Sequence, residues 1–424
     1  MPTAMTASTA NEGLEGIVVA QTTLSDVDGE AGRLVVRGRR IEELAGRVPF
    51  EEMARLLWEG LAPLAGQPAD SSAAPSATDL ARALGLARTA AYARVAPLLA
   101  AAAALPAIAA LRLGLASLRP GTAAGAASPP DHLLATAAVP VFASAFARHR
   151  RGLPPLPPDP TLGHAADLLR MLRGEPASAA EVSALDAYLV TVAEHGMNAS
   201  TFTARVVAST RAGVLPAVIA ALCALEGPLH GGAPGPVLDM LDALAGPEDA
   251  GAWIAAELAA GRRLMGFGHR IYRVRDPRAD VLKEQVAGLR QGAAAGIAHP
   301  RGTTRPGDDA RPAPPPGEDA GAAMPGSLGA RDPGSRLALA ERVEREALAA
   351  LATLRPGRRL DTNVEFYTAV LLDALRIDRD LFTSIFAAGR VAGWTAHVFE
   401  QERTSRLIRP QSEYVGPRPT PTPT

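Results

Sequence analysis

One cysteine, Cys223, is all the thiol this chain has. A single thiol excludes an intramolecular disulfide and any zinc site built on cysteines. Its setting, "AVIALCALEG", is an apolar helical run, so Cys223 reads as a small buried hydrophobe. Lysine is as scarce, with Lys283 alone among 43 basic residues, a bias that fits a GC-rich genome better than a function. Those 43 basic residues face 44 acidic ones, so no charge excess points to nucleic acid or to an anionic membrane. Long apolar runs are missing too. The longest, between Arg94 and Arg112, contains Pro97 and Pro106 and falls short of the ~20 residues that span a bilayer. It reads as a buried helix. No basic segment followed by an apolar core opens the chain, which leads us to expect no secretory signal and a cytoplasmic protein.

What is present is a globular composition, 47% hydrophobic and 21% charged over 424 residues, enough for two or more domains. Strand signals are confined to "GRLVVRGRRIEEL" (32–44), compatible with one small hairpin turning at Gly38. Helical periodicity dominates afterwards, in 49–60, 183–210 (two helices meeting near Gly196), 235–246, 336–357 and 363–377. The predicted class is all-α with a minor N-terminal β-hairpin. From about Gly292 to Gly334 the chain is rich in Pro and Gly and poor in large apolar residues. That stretch reads as a disordered surface insertion, most simply a neutral spacer, and the first dozen residues and 416–424 as mobile ends. No internal repeat is evident.

Candidate chemistry gathers at glycine-marked breaks. His195 lies in "AEHGMNASTF", His230 in "EGPLHGGAPGP" before a helix that could start at Pro234, and His269 in "MGFGHRIYRVRDPRADVL" between Gly268 and Arg270. Glycine beside histidine allows close approach to a ligand, and helix N-termini suit anions. Each histidine taken alone reads as an ordinary surface or core residue. "GFGHRI" lacks the third glycine of a dinucleotide fingerprint, and no Walker loop, nucleophile elbow or zinc helix occurs, so no metal is expected. Arg278, Arg390 and Arg409 are candidate carboxylate grips in a chain full of solvated arginines. In "DTNVEFYTAV" a helix starts at Asp361, Thr362 or Asn363, which puts Glu365 in the first turn, where the helix dipole favours negative charge.

Taken in order, "EHGMNASTF", "GPLHGGA", "GFGHRIY…DPRA", "NVEFY" and "GRVAGWTAHVFEQERTSRLIRPQSEYVGP" resemble the signature segments of citrate synthases. The likeness runs from about residue 13 to residue 417 and looks most like a bacterial branch labelled citrate or 2-methylcitrate synthase. It implies a two-domain helical fold. The large domain would take 1–232 and 378–424, and a small domain, 233–377, would close over the substrates. It implies oxaloacetate and acetyl-CoA (or propionyl-CoA) as partners, no permanently bound cofactor, and a homodimer. Residue by residue, it makes His230 the donor to the acyl thioester oxygen and His269 the donor to the oxaloacetate ketone. Glu365 becomes the base. His195, Arg278 and Arg390 bind oxaloacetate, joined by Arg409 from the partner subunit. Gly266, Gly268 and Asn363 would line the CoA site.

The pattern departs from the family at one catalytic position: Glu365 stands where Asp is usual, and one methylene moves a carboxylate by about 1 Å. A helix set back to compensate keeps the condensing reaction. A catalytically weak paralogue that binds CoA or dicarboxylates is the competing expectation from another class.

Overall fold

The computed structural model describes residues 13–14, 16–62, 76–119, 129–231, 234–245, 250–269, 271–297, 333–354 and 360–417. Strand β1 (Ser25–Asp28) pairs antiparallel with β2 (Arg33–Val36), and β2 pairs with β3 (Arg39–Arg40). Among the described residues fifteen α-helices follow. The first six are α1 (Phe50–Trp58), α2 (Ala77–Tyr92), α3 (Leu99–Ala103), α4 (Ala107–Ala116), α5 (Asp131–Arg150) and α6 (His164–Arg173). Then come α7 (Ala179–Ala193), α8 (Ala199–Ser209), α9 (Val214–Leu225), α10 (Pro234–Ala243) and α11 (Ala250–Ala259). The last four are α12 (Pro277–Ile297), α13 (Pro333–Leu354), α14 (Val364–Ala374) and α15 (Phe382–Thr404). The all-α class with a trace of sheet is the class observed.

Two helices form the centre. On α5, and on α15 as far as Val398, nearly every residue is buried, on all sides, as expected of a helix surrounded by others. Small residues let α15 run hard against α7. A Cβ at Gly393 would lie 2.2 Å from the Ala193 carbonyl, and one at Gly389 would lie 2.6 Å from Val192. Starts are set by side-chain caps: Ser76 with Asp79 on α2, Ser178 with Glu181 on α7, Asn198 on α8 and Asn363 on α14. The last two caps matter most, because α8 and α14 begin inside the functional site.

Four details differ from the sequence reading. Strand β1 went unanticipated, its "SDVD" being a poor strand sequence held by pairing with β2. The apolar run after Arg94 is two short helices rather than one buried helix, because Pro106 takes the N-cap position of α4, and in α3 only Ala102 is buried. Cys223 is exposed, not buried. The buried stripe of α9 runs through Val218, Ala221, Leu222 and Leu225, and Cys223 falls on the outer face. Helix also claims both ends of the Pro-rich stretch, with α12 continuing to Ile297 and α13 starting at Pro333. The rest of that stretch, 298–332, lies outside the described residues, as do 1–12 and 418–424. No described helix is long and apolar enough to cross a membrane.

Candidate active site

Five chain segments converge. The first is the turn after α7, where Glu194 leaves the helix in extended conformation and Gly196 takes φ +61°. The second is the loop from Gly266 into α12, the third the start of α14, the fourth the middle of α15, and the fifth the turn after α9 that carries His230. They bring together His195, His230, His269, Arg278, Arg390 and Glu365, six of the ten residues singled out from sequence. The rings of His195 and His269 stand edge to face with centroids 5.8 Å apart. His195 Nε2 lies 3.1 Å from the Tyr272 hydroxyl, and Tyr272 tilts against His269 at 4.8 Å.

All three histidines are held neutral. Burial, reinforced by Arg278 and Arg390, drives His195 well below the ordinary imidazole value. Burial lowers His230 to about 4, helped by Arg390, and lowers His269 to about 4, helped by Arg278. A neutral imidazole next to arginines is a hydrogen-bond donor and not a second cation. For His269 the donor atom is defined: Nδ1 accepts the backbone N–H groups of Ile271 and Tyr272, both at 3.1 Å, which assigns the proton to Nε2. That Nε2–H and the Arg278 Nη2 group, 3.3 Å away, are both donors and suit one shared acceptor oxygen.

His230 is held from behind by Ser200, whose Oγ is 2.8 Å from His230 Nε2 and 2.8 Å from Asn198 Oδ1, and accepts from Trp394 Nε1 at 3.1 Å. The hydroxyl has one proton for two acceptors. When it turns to His230, the ring's own proton sits on Nδ1, free to donate to a carbonyl oxygen.

Two buried arginines supply fixed charge. Asp276 grips Arg278 through Nε at 3.0 Å and Nη2 at 2.9 Å, and also accepts the backbone N–H of Val364, the first residue of α14, at 3.0 Å. One carboxylate thus ties the arginine to the helix that carries Glu365. Burial opposes the charge on Arg278, but Asp276 and Tyr272 outweigh it and leave the guanidinium above its usual value. Arg390 donates to the Val192 carbonyl and lies 4.8 Å above the Phe386 ring. Burial lowers it to about 10, so it stays a cation at neutral pH.

Glu365 sits one residue into α14, with its backbone N–H capped by Asn363 Oδ1 at 3.0 Å. The helix dipole does not keep it as acidic as the sequence suggested. Burial raises the carboxyl to about 7, Asp276 adds to the rise, and Arg278 and Arg390 only partly offset it. A carboxyl near 7 is suited to taking a proton from carbon at neutral pH.

Gly266, Gly268 and Asn363 join the loop to the start of α14. Asn363 donates its backbone N–H to the Gly266 carbonyl at 2.9 Å and its side-chain amide to the Gly268 carbonyl at 2.7 Å. Gly266 has φ +83°, and a Cβ there would meet Phe366 at 2.8 Å. Gly266→Ala should therefore cost about 1 kcal/mol or more, read as a lower denaturant midpoint. Arg409 stands apart, exposed on the extended segment after α15. Among the described residues no group of three or more His, Cys, Asp or Glu could hold a metal.

Sequence reasoning quoted Tyr272, Asp276, Ser200 and Trp394 within its motifs without giving them a part. It missed Glu194 as well. Glu194 Oε1 accepts from Ser25 Oγ at 2.8 Å, from the Gly196 N–H at 2.8 Å and from His397 Nε2 at 3.0 Å. A carboxylate beside a glycine-marked histidine was the available signal.

Residues 13–411 match the family model for the citrate synthase C-terminal domain. A "Citrate synthase" of Haloferax volcanii is 35% identical over 425 residues, covering 95% of each chain. A "2-methylcitrate synthase" of Mycobacterium tuberculosis is 33% identical over 426 residues, covering 97% of this chain and 93% of that one. The solved structure of citrate synthase from Pyrobaculum aerophilum superposes with a TM-score of 0.74 at 29% identity, covering 97% of this chain and 93% of that one.

Proposed function

The chain belongs to the citrate synthase family, and from that premise we propose that it condenses oxaloacetate with acetyl-CoA and water to give citrate and CoA. The family's enzymes are acyltransferases that use acyl-CoA as a co-substrate and no permanent cofactor. The observation that carries the finer reading is the convergence of three neutral histidines, two buried arginines and a carboxyl near 7.

In this reading Glu365 removes a proton from the acyl methyl carbon while His230, turned by Ser200, donates to the thioester oxygen that gains charge. The resulting carbon nucleophile attacks the oxaloacetate ketone. His269 Nε2–H and Arg278 meet the ketone side, and Arg278 and Arg390 offset the carboxylates with charge that does not titrate near neutrality. Water then cleaves the citryl thioester and releases CoA. The small domain, 233–377, closes over the cleft, and the exposed Arg409 reaches the site of a second subunit in a homodimer; Ala233 itself lies outside the described residues.

The relative named 2-methylcitrate synthase favours a second reading, with propionyl-CoA as the acyl donor. The two donors differ by one methylene, worth about 1–3 kcal/mol in an apolar pocket, so both are expected to react. Thiol release from each acyl-CoA, with and without oxaloacetate, tests this directly. Oxaloacetate-dependent release is expected. No release with either donor would reject the condensing activity and favour the weak CoA- or dicarboxylate-binding paralogue.

A further inference from the structure

We propose that the β1–β2 hairpin is a positioning element of the oxaloacetate site, holding the His195 turn through Ser25 and the His269–Arg278 loop through the Gly29 carbonyl. The inference rests on the oxaloacetate reading given above. The hairpin lies more than 150 residues upstream of the histidines, yet it touches both segments that carry them.

At its first strand, Ser25 Oγ donates to Glu194 Oε1 at 2.8 Å and accepts the Gly196 N–H at 3.1 Å. These two residues flank His195. Gly196 has φ +61° and a Cβ there would meet Val27 of the same strand at 3.1 Å. A second route reaches the same carboxylate. The Thr23 N–H donates to Glu400 Oε1 at 2.8 Å, and Glu400 Oε2 pairs with Arg205 Nη1 at 2.7 Å. Arg205 Nη1 also lies 3.0 Å from His397 Nδ1, and His397 Nε2 faces Glu194 Oε1. With Arg205 donating to Nδ1, His397 turns its Nε2–H to Glu194 Oε1. Glu194 therefore receives three donors on one oxygen, all serving to fix the turn that presents His195. Burial would raise its pKa, but His397, Arg390 and Ser25 together hold it below the usual value, so it stays an acceptor.

At its tip, the hairpin meets the other loop backbone to backbone. The Gly29 carbonyl accepts the Arg273 N–H at 2.9 Å, between Tyr272 and Asp276. A Cβ at Gly29 would lie 2.3 Å from the Ile271 carbonyl oxygen, and one at Gly32 would lie 2.6 Å from Val274 and 2.9 Å from the Arg275 carbonyl. Ile271 and Tyr272 are the residues whose N–H groups fix the His269 ring. A wedge at Gly29 thus displaces the His269–Arg278 loop, and with it the bonds from Gly266, Gly268 and Asp276 to the start of α14, whereas Ser25 acts at the His195 turn.

Steady-state kinetics of the full chain separate positioning from simple support. Gly29→Ala should raise the oxaloacetate KM about tenfold or more, because displacement by an ångström is costly at such a site. Ser25→Ala, which deletes one hydroxyl, should raise it about fivefold, and Ser25→Thr should restore it. In Ser25→Ala the acetyl-CoA KM should stay within about twofold, and the melting temperature should fall by no more than about a few degrees. Unchanged oxaloacetate KM in Ser25→Ala overturns the proposal, as do equal rises in both KM values accompanied by a lower melting temperature. Should Gly29→Ala fail to fold, Ser25→Ala and its threonine rescue decide alone. Wild-type thiol release, run in parallel, distinguishes the cases: no wild-type turnover rejects the proposed reaction, whereas active wild type with unaffected variants rejects the hairpin's role.

Discussion

Glu365→Gln should lower turnover by about 10²–10⁴-fold while leaving oxaloacetate binding nearly intact. Gln keeps the shape of the side chain and its place in the first turn of α14, but it cannot take a proton from carbon. The residues that bind the ketoacid in our reading, His195, His269, Arg278 and Arg390, keep their contacts to Tyr272, Asp276 and the Val192 carbonyl. The pH profile supplies a second check. With the carboxyl at about 7, kcat/KM for acyl-CoA should rise tenfold per pH unit below 7 and level off above it, and the Gln variant should lose that limb. Stability should move the other way. A carboxyl raised above its unfolded value contributes stability that is complete below the unfolded pKa of 4.5 and is lost as pH rises through about 7. Glu365→Gln should therefore melt higher than wild type at pH 8, with the gap closing towards pH 5. Full activity in the Gln variant would remove Glu365 from the base role.

In our reading Glu365 is the base where the resemblance expects Asp, and the position of α14 bears on that reading. Its first turn is pinned from three sides, by the Asn363 cap, by Asp276 on the Val364 N–H and by the Gly266 carbonyl on the Asn363 N–H. A backbone so held does not follow a shortened side chain. Glu365→Asp should accordingly withdraw the carboxylate by about 1 Å and lose about 10²-fold in rate, rather than improve towards the family pattern.

Much of this was legible in the sequence because the decisive signals are local. Helices α1, α7, α8, α13 and α14 announce themselves by apolar spacing, and the cap of α14 falls at Asn363, one of the three starts its sequence offers. The three glycine-flanked histidines and the order of the five motifs gave the family. What stayed hidden depends on contacts across the chain. Nothing in "SDVD" reports that it is a strand, since its partner supplies the reason. Neither does "NVEFY" report that burial outweighs the helix dipole at Glu365, because the groups that bury it come from other segments. Asp276 stands in the sequence only as a neighbour of Arg278, and it is the fold that places the α14 N-terminus against it.

Asp276→Asn should be the most damaging single change for stability near the site, by about 3–5 kcal/mol. The carboxylate receives four donors on two oxygens. Oδ1 takes the Arg278 N–H at 3.1 Å and Nε at 3.0 Å, and Oδ2 takes Arg278 Nη2 at 2.9 Å and the Val364 N–H at 3.0 Å. Asn offers one oxygen and an amino group, so either orientation sets a donor against two donors. It also leaves Arg278, 4% exposed, without its buried counter-charge. The consequence reaches function by two paths, since Arg278 loses its anchor and α14 loses the bond at its first residue. Both the oxaloacetate KM and kcat should worsen. Burial alone would raise the Asp276 pKa, but Arg278 holds it below the usual value. Stability from such a group is present above the unfolded pKa of 3.8 and is lost only as pH falls through the lower folded value. Urea denaturation of wild type and Asp276→Asn should thus give the same difference at pH 5.5 and at pH 8. A difference that shrinks at pH 5.5 would mean that Asp276 is not held ionised by Arg278, and that the tie between the two loops is a neutral one.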